Sequence, residues 1–408
     1  MALIPLEEAV NKITSQLKPL ASNILPLHQA VGMALTEEVQ ATRRLPPFNN
    51  SAMDGYALRA EDTKLAGPDS PSMLPVQGVV AAGHPSKEAL KPGYVMRIFT
   101  GAPMPENADT VVIQENTTAL DNQVQIFKPA LPGDHIRLAG EDVEPGQTLM
   151  HQNQILGPGD IAMLVAQGHT TASVIRKPRV AIIPTGDELV EAGQPTGPGQ
   201  IANSNGIMLQ AMCVELGMEP VLHPIVRDQQ EALSHALVES SKTSDLILTI
   251  GGVSVGDFDY VLSSIQETGS IDFWKVAIKP GKPLAFGHIN QTPIIGLPGN
   301  PASAFVCFEL FARPALLKLA GRSSQKRLVV EAQLQKPIKQ NKTREQFLRA
   351  RLSQEDTRYR VETASTQGSG QLSSMLNINA LVRIPSGHGT INAGQNVSVI
   401  ALDRYFQG

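Results

Sequence analysis

The run Leu246-Ile247-Leu248-Thr249-Ile250 has the length of a strand, and its apolar residues follow one another instead of alternating. Successive side chains of a strand point to opposite faces, so a segment of this kind must be covered on both sides. The neighbouring segments indicate what covers it. Residues 179–184 read as a strand, and Asn203-Ser204-Asn205 can cap a helix that runs to Leu216 and stops at Gly217. Residues 221–226 read as the next strand and 230–239 as a helix. Strands then alternate with loops to Leu297, and a long apolar helix follows from Pro301. This order predicts an open, mainly parallel α/β sheet over residues 178–322.

The flanks differ. Leu6, Ala9, Val10, Ile13 and Leu17 fall at helical spacing, and a second helix is expected at 159–167, opened by Pro158-Gly159. Between them lie short β runs at 74–80, 95–100, 110–114 and 124–127, separated by Pro, Gly, Asn and Asp. After the α/β segment, β runs return at 328–334, 347–352, 359–363 and 397–402. The expected chain is multidomain α/β plus β. Residues 1–44 and 143–177 form a small helical domain I, 45–142 an inserted β-rich domain II, 178–322 the α/β domain III, and 323–408 a C-terminal β-barrel domain IV. The 408 residues are enough for several such domains.

Composition narrows the function. The 34 basic and 38 acidic residues give a net charge of −4, so nothing draws the whole chain to nucleic acid or to an anionic membrane. Any anion site must be local. The only cysteines, Cys213 and Cys307, lie in apolar helical stretches, which excludes a disulfide framework or a Cys-rich metal site. No apolar run approaches the ~20 residues of a membrane helix, and no signal peptide is visible. The expectation is a soluble, cytoplasmic protein with neither nucleic-acid nor membrane partners.

Ligands of open α/β sheets bind beyond the carboxyl ends of the strands. Here those ends carry Pro184-Thr185-Gly186-Asp187-Glu188, then Arg227-Asp228, then Gly251-Gly252-Val253-Ser254-Val255-Gly256-Asp257-Phe258-Asp259. Lys279-Pro280-Gly281-Lys282-Pro283 and Leu297-Pro298-Gly299-Asn300-Pro301-Ala302-Ser303 follow. Glycines let backbone amides approach phosphate oxygens, and Pro301 suits the first turn of a helix whose N-terminus can favour an anion. Lys279 and Lys282 add positive charge. The carboxylates Glu188, Asp228, Asp257 and Asp259 would repel a bare polyphosphate, but they suit a divalent cation such as Mg²⁺. Each motif also has a plainer reading: Gly and Asp form ordinary turns, Asp257 or Asp259 can cap a helix, and the lysines can edge a solvated turn. A further polar segment, Pro46-Pro47-Phe48-Asn49-Asn50-Ser51-Ala52-Met53-Asp54-Gly55-Tyr56-Ala57, lies in the inserted module, with Arg97–Pro103 and Gly140–Val143 behaving similarly.

In these strings the sequence resembles the MoeA family, the molybdopterin molybdenumtransferases, which include the gephyrin E domain. PPFNNSAMDGYA, RIFTGAPMP, GEDV, PTGDEL, GGVSVGDFD, KPGKP and GLPGNPAS occur in family order over about residues 46–303. The resemblance implies an elongated four-domain homodimer whose domain III is MogA-like. It implies a reaction in which adenylated molybdopterin and molybdate give molybdenum cofactor and AMP, with Mg²⁺ required. By this resemblance Gly251, Gly252, Ser254 and Gly256 cradle the pterin phosphate. Glu188, Asp228 and Asp259 act through the metal or on the attacking oxygen, with Asp257 a further metal ligand. Lys279 and Lys282, with Arg349 and Ser369, neutralise molybdate; Lys275, Pro298, Pro301 and Ser303 also bind the cofactor. Asp54 and Thr100 close the cleft from the partner protomer. Implied partners are a MogA-type molybdopterin adenylyltransferase and molybdoenzyme-maturation proteins. Two other functions fit parts of the pattern: a CinA-type nucleotide pyrophosphatase on the same sheet, and a non-catalytic, gephyrin-like scaffold.

Overall fold

A computed structural model describes residues 3–253 and 260–402. The chain divides into two compact units, Met1–Thr36 with Ala172–Gly408, and Glu37–Thr171.

The first unit holds a six-stranded sheet in the order Glu219–Leu222, Arg179–Pro184, Leu246–Ile250, Thr292–Leu297, Ala285–Ile289, Gly269–Trp274. The first four strands are parallel, and Ala285–Ile289 runs antiparallel to both of its neighbours, Thr292–Leu297 and Gly269–Trp274. All five residues of Leu246–Ile250 are buried, as their apolar run demands. Val180, Ile182, Leu246 and Leu248 face a core shared with Leu6, Ala9 and Ile13 of the N-terminal helix and with Phe305, Phe308 and Phe311. Ala181, Ile183 and Ile247 face the other side, against Leu233, Leu237, Val261 and Ile265. Each of the buried Val, Leu, Ile and Phe side chains contributes roughly 1.5–3 kcal/mol, so the sheet is a rigid base for the loops at its ends.

Helix Ser204–Glu215 starts where its cap predicts, with the Asn203 Oδ1 accepting the Gly206 amide at 3.0 Å. The apolar helix from Pro301 runs through a π turn, Phe308–Ala312, into Arg313–Leu319. Pro314 has no amide to donate to the preceding turn, which gives a reason for the break in the regular ladder.

Five strands close into a C-terminal barrel. Val329–Leu334 pairs with Arg358–Thr363 and Asn396–Ala401, while Glu345–Glu355 pairs with Arg358–Thr363 and Ala380–Ile384. Ala380–Ile384 against Asn396–Ala401 completes the ring. Leu348, Ala350 and Leu352 fill its interior. Phe347, on the alternate face, joins the core beneath the sheet.

The second unit is built on another six-stranded sheet, in the order Thr110–Ile113, Gly55–Leu58, Val95–Ile98, Ser72–Val80, Gln123–Ile126, Thr117–Leu120. It also holds helix Pro158–Ala166. A Cβ on Gly55 would stand 2.1 Å from the Val112 carbonyl oxygen, so only glycine permits this strand approach. Among the described residues, no helix is long and apolar enough to cross a membrane.

Candidate active site

The carboxyl ends of the parallel strands open into a cleft of about 760 Å³, within the usual range for a small-molecule site. Glu188, Asp228, Gly251, Gly252, Pro298 and Pro301 line it, so the first, second, third and fifth strand-end motifs meet in space, and the fourth reaches the cleft through Pro283 alone. Gly251 and Gly252 have φ of +96° and +61°. A Cβ on Gly252 would stand 2.6 Å from Val261 Cγ2, and one on Gly251 would stand 3.0 Å from the Thr185 carbonyl oxygen. Left-handed backbone and close packing together require this glycine pair. Ser254, Gly256, Asp257 and Asp259 lie outside the described residues.

The acidic loops are tied to each other. The Asp187 amide donates to Asp228 Oδ2 at 3.4 Å, and the Asp228 amide to Asp187 Oδ1 at 3.3 Å. Arg227 Nη1 donates to the Asp187 carbonyl at 2.9 Å. These bonds hold the loops that carry Glu188 and Asp228 beside one another. Among the described residues no three His, Cys, Asp or Glu side chains form a metal cluster. Two cleft carboxylates nevertheless fit Mg²⁺, which typically takes one or two protein carboxylates and completes its shell with water and substrate phosphate.

The helix start at Pro301 behaves differently from the expectation. Pro301 has no N–H. The Ala302 amide donates to the Ser369 carbonyl at 3.0 Å, and the Ser303 and Ala304 amides donate to the Asn300 carbonyl at 3.0 and 2.9 Å. The donors of this turn are spent within the fold, so the helix start is not an anion cradle. Its bond to Ser369 instead docks a barrel loop, and Gly370 and Leu372 of that loop line the cleft.

Lys275, Lys279, Lys282, Ser303, Arg349 and Ser369 are not among the cleft's lining residues. Lys279 and Lys282 are exposed on the turn leading to Pro283, which does line it. The Ile278–Lys279 strand pairs with Glu345 and Gln346 of the barrel. Gly281 between the lysines has φ of +101°, and a Cβ there would stand 2.4 Å from Cys307 Sγ. Lys275 Nζ sits 3.6 Å above the Trp274 ring, and Trp274 Nε1 donates to the Val253 carbonyl at 2.9 Å. Ser303 is buried.

Arg349 is fully buried. Its Nη2 donates to the Gly368 carbonyl at 3.1 Å and to Ser374 Oγ at 3.0 Å, and Nε also reaches Ser374 Oγ at 3.2 Å. Nη1 makes no hydrogen bond among the described residues. Burial pushes the guanidinium down to about 10, still a cation at neutral pH. In the second unit Asp54 and Thr100 meet directly: Asp54 Oδ1 accepts the Thr100 amide at 2.8 Å and the Thr100 hydroxyl at 2.7 Å. The amide bond first, then the hydroxyl, hold the Asp54 carboxyl below the usual range, with Arg97 adding a smaller pull. Both cysteine thiols are buried and pushed up by desolvation, Cys213 to about 12.

Several lining residues have contacts that the motifs alone do not assign. Thr185 Oγ1 donates to the Ile250 carbonyl at 3.1 Å, and Asn205 Nδ2 donates to the Gly299 carbonyl at 2.6 Å. In the sequence Asn205 stands out only as part of a helix cap. Ile201, Gly370 and Leu372 carry no motif signal at all.

Comparison with known proteins covers most of the chain. Residues 4–168 match the family model for the MoeA N-terminal region (domain I and II), 181–318 that for a probable molybdopterin binding domain, and 331–402 that for the MoeA C-terminal region (domain IV). A molybdopterin molybdenumtransferase of a Nostoc species is 37% identical over 387 residues, covering 93% of this chain and 89% of its own. That of Bacillus subtilis is 32% identical, covering 98% and 94%. A crystal structure of the molybdopterin biosynthesis MoeA protein of a Pyrococcus superposes with a TM-score of 0.83 at 33% identity, covering both chains fully. Models matching outside the sheet as well as on it exclude a lone sheet-domain enzyme with unrelated accessory domains, and the chain belongs to the MoeA family of molybdopterin molybdenumtransferases.

Proposed function

We propose that the chain transfers molybdenum from molybdate to the dithiolene of adenylated molybdopterin, releasing AMP and yielding molybdenum cofactor. The observation that carries this reading is the meeting of Glu188 and Asp228 with the Gly251-Gly252 turn in one cleft. The Gly251 amide donates to the Leu297 carbonyl at 3.0 Å, so the turn presents the Gly252 amide for a phosphate, beside carboxylates for a cation. No side-chain nucleophile is needed, because an oxygen of molybdate or water can attack the phosphoanhydride. Catalysis then comes from holding two anionic reactants in register and offsetting their charge.

In this reading Gly251 and Gly252, with Ser254 and Gly256, hold the pterin phosphate. Glu188 and Asp228, with Asp257 and Asp259, would hold Mg²⁺, which supplies charge neutralisation at the phosphates. Lys279 and Lys282 attract molybdate, assisted by Ser369. The site works as a homodimer in which Asp54 and Thr100 reach the partner's cleft. A MogA-type adenylyltransferase delivers the substrate, and molybdoenzyme-maturation proteins receive the product. The test is reconstitution: product made from adenylated molybdopterin, Mg²⁺ and molybdate should activate a cofactor-free molybdoenzyme. No activation in the presence of all three would overturn the assignment.

A further inference from the structure

The cleft has two surfaces of different chemistry. The Gly251-Gly252 turn, Glu188 and Asp228 are polar, yet two large apolar side chains also line it and stay exposed: Ile201 at 56% and Leu372 at 48%. Scattered exposed apolar residues are normal on a protein surface. These two differ because each is fixed to the polar machinery. The Ile201 amide donates to the Glu188 carbonyl at 2.8 Å, and Ile201–Ala202 pairs with Leu189–Val190 in a two-stranded ribbon. Leu372 lies between Gly368 and Ser374, both bonded by the buried Arg349. Its loop is also docked through Ser369 to Ala302.

An isoleucine and a leucine held half-exposed at defined positions leave part of the free energy of burial ungained in the empty protein. A ligand with a flat apolar face recovers it. Phosphates and molybdate offer no such face, whereas a planar nitrogen heterocycle does: its faces are apolar and its edge is polar. We propose that Ile201 and Leu372 are the specificity contacts for a heteroaromatic ring of adenylated molybdopterin, the phosphates lying toward Gly251-Gly252. This inference rests on the function proposed above. The substrate has two such rings, a pterin and an adenine, with the same facial chemistry.

The test is equilibrium binding by calorimetry to wild type, Ile201→Ser, Leu372→Ser and Leu372→Phe, with Val329→Ser as an exposed apolar control away from the cleft. Two ligands separate the rings: AMP, and molybdopterin without the adenylate. Removing one apolar contact should weaken binding of one ligand about 10-fold, and Leu372→Phe should keep or tighten it. Loss confined to AMP assigns the adenine, and loss confined to molybdopterin assigns the pterin; either supports the proposal. Folded serine variants, verified by unchanged melting, that bind both ligands like wild type would overturn it while leaving the transferase reading intact. Failure of the transferase reading shows separately, as wild type that binds neither ligand, and it removes this inference too.

Discussion

The Ala302 amide, in the first turn of the helix after Pro301, donates to the Ser369 carbonyl of the C-terminal barrel at 3.0 Å. The bond uses main-chain atoms at both ends. It makes the barrel loop a wall of the cleft formed by the α/β sheet of the same chain, and it leaves the Ser369 hydroxyl available for other work.

A molybdate titration separates these roles. Ser369→Ala keeps the carbonyl, so melting should stay close to wild type. Lys279→Ala and Lys282→Ala remove exposed charges and should also stay folded. At saturating adenylated molybdopterin, loss of either lysine should raise the half-saturating molybdate concentration by roughly 5- to 150-fold, the equivalent of about 1–3 kcal/mol for a charged hydrogen bond. Loss of the hydroxyl should raise it by roughly 10-fold, the lower end for a hydrogen bond to a charged group. Unchanged midpoints in all three would place the oxyanion elsewhere.

The lysine turn rests on a close approach between Gly281 and Cys307, whose Sγ also lies 3.7 Å from the Gly281 carbonyl. Gly281→Ala meets both a left-handed φ and the sulfur, and should cost on the order of 2–4 kcal/mol by denaturant unfolding. Cys307→Ala removes the sulfur and leaves the backbone conformation as it is. In the double variant the two effects should fall short of additivity by about 1 kcal/mol. Strict additivity would show that the sulfur does not set the glycine requirement.

Asp54 gives a prediction in pH. Its carboxyl is depressed by Thr100, so the contribution of the pair is fully present above the ordinary carboxylate range and is lost as pH falls through the lowered pKa. Thr100→Val removes the hydroxyl and keeps the amide, which is the larger cause. Carboxyl NMR should therefore show the Asp54 pKa rising only part of the way to its ordinary value. Full restoration would mean that the hydroxyl alone sets it.

Mixing Asp54→Ala with Asp228→Ala protein tests the shared cleft. If each site combines Asp54 of one chain with Asp228 of the other, a mixed dimer holds one intact site of two. Random exchange makes half of the dimers mixed, so activity should recover to about a quarter of wild type. No recovery after demonstrated subunit exchange would place both residues in one protomer's site.

The sequence was most legible where one physical requirement acts alone. Arg179–Pro184 and Leu246–Ile250 match their expected bounds because burial on both faces leaves little choice. The strand expected at 221–226 instead ends at Leu222. It is an edge strand with half-exposed residues, and Val226 bridges separately to Thr185. Ala380–Ile384 was not foreseen, although its apolar residues complete the barrel. Among site residues, the glycine and carboxylate motifs were readable because their chemistry is local. Ile201 and Leu372 were not, since an exposed apolar side chain becomes informative only once the cleft around it is known. Arg349 shows the same limit. The family resemblance implies an anion site there, but Arg349 shares the strand face of Phe347 and is enclosed by the 364–375 loop, which it anchors.

The most direct measurement is single-turnover AMP release from adenylated molybdopterin, with equilibrium binding of the same substrate, for wild type, Glu188→Gln and Asp228→Asn. Wild type should release AMP only when molybdate and a divalent cation are both present. The variants should still bind substrate within about 10-fold of wild type and release AMP at least about 100-fold more slowly, because they lose charge where it is needed during the reaction. Wild-type release that is indifferent to molybdate, or variants that turn over at the wild-type rate, would contradict the account.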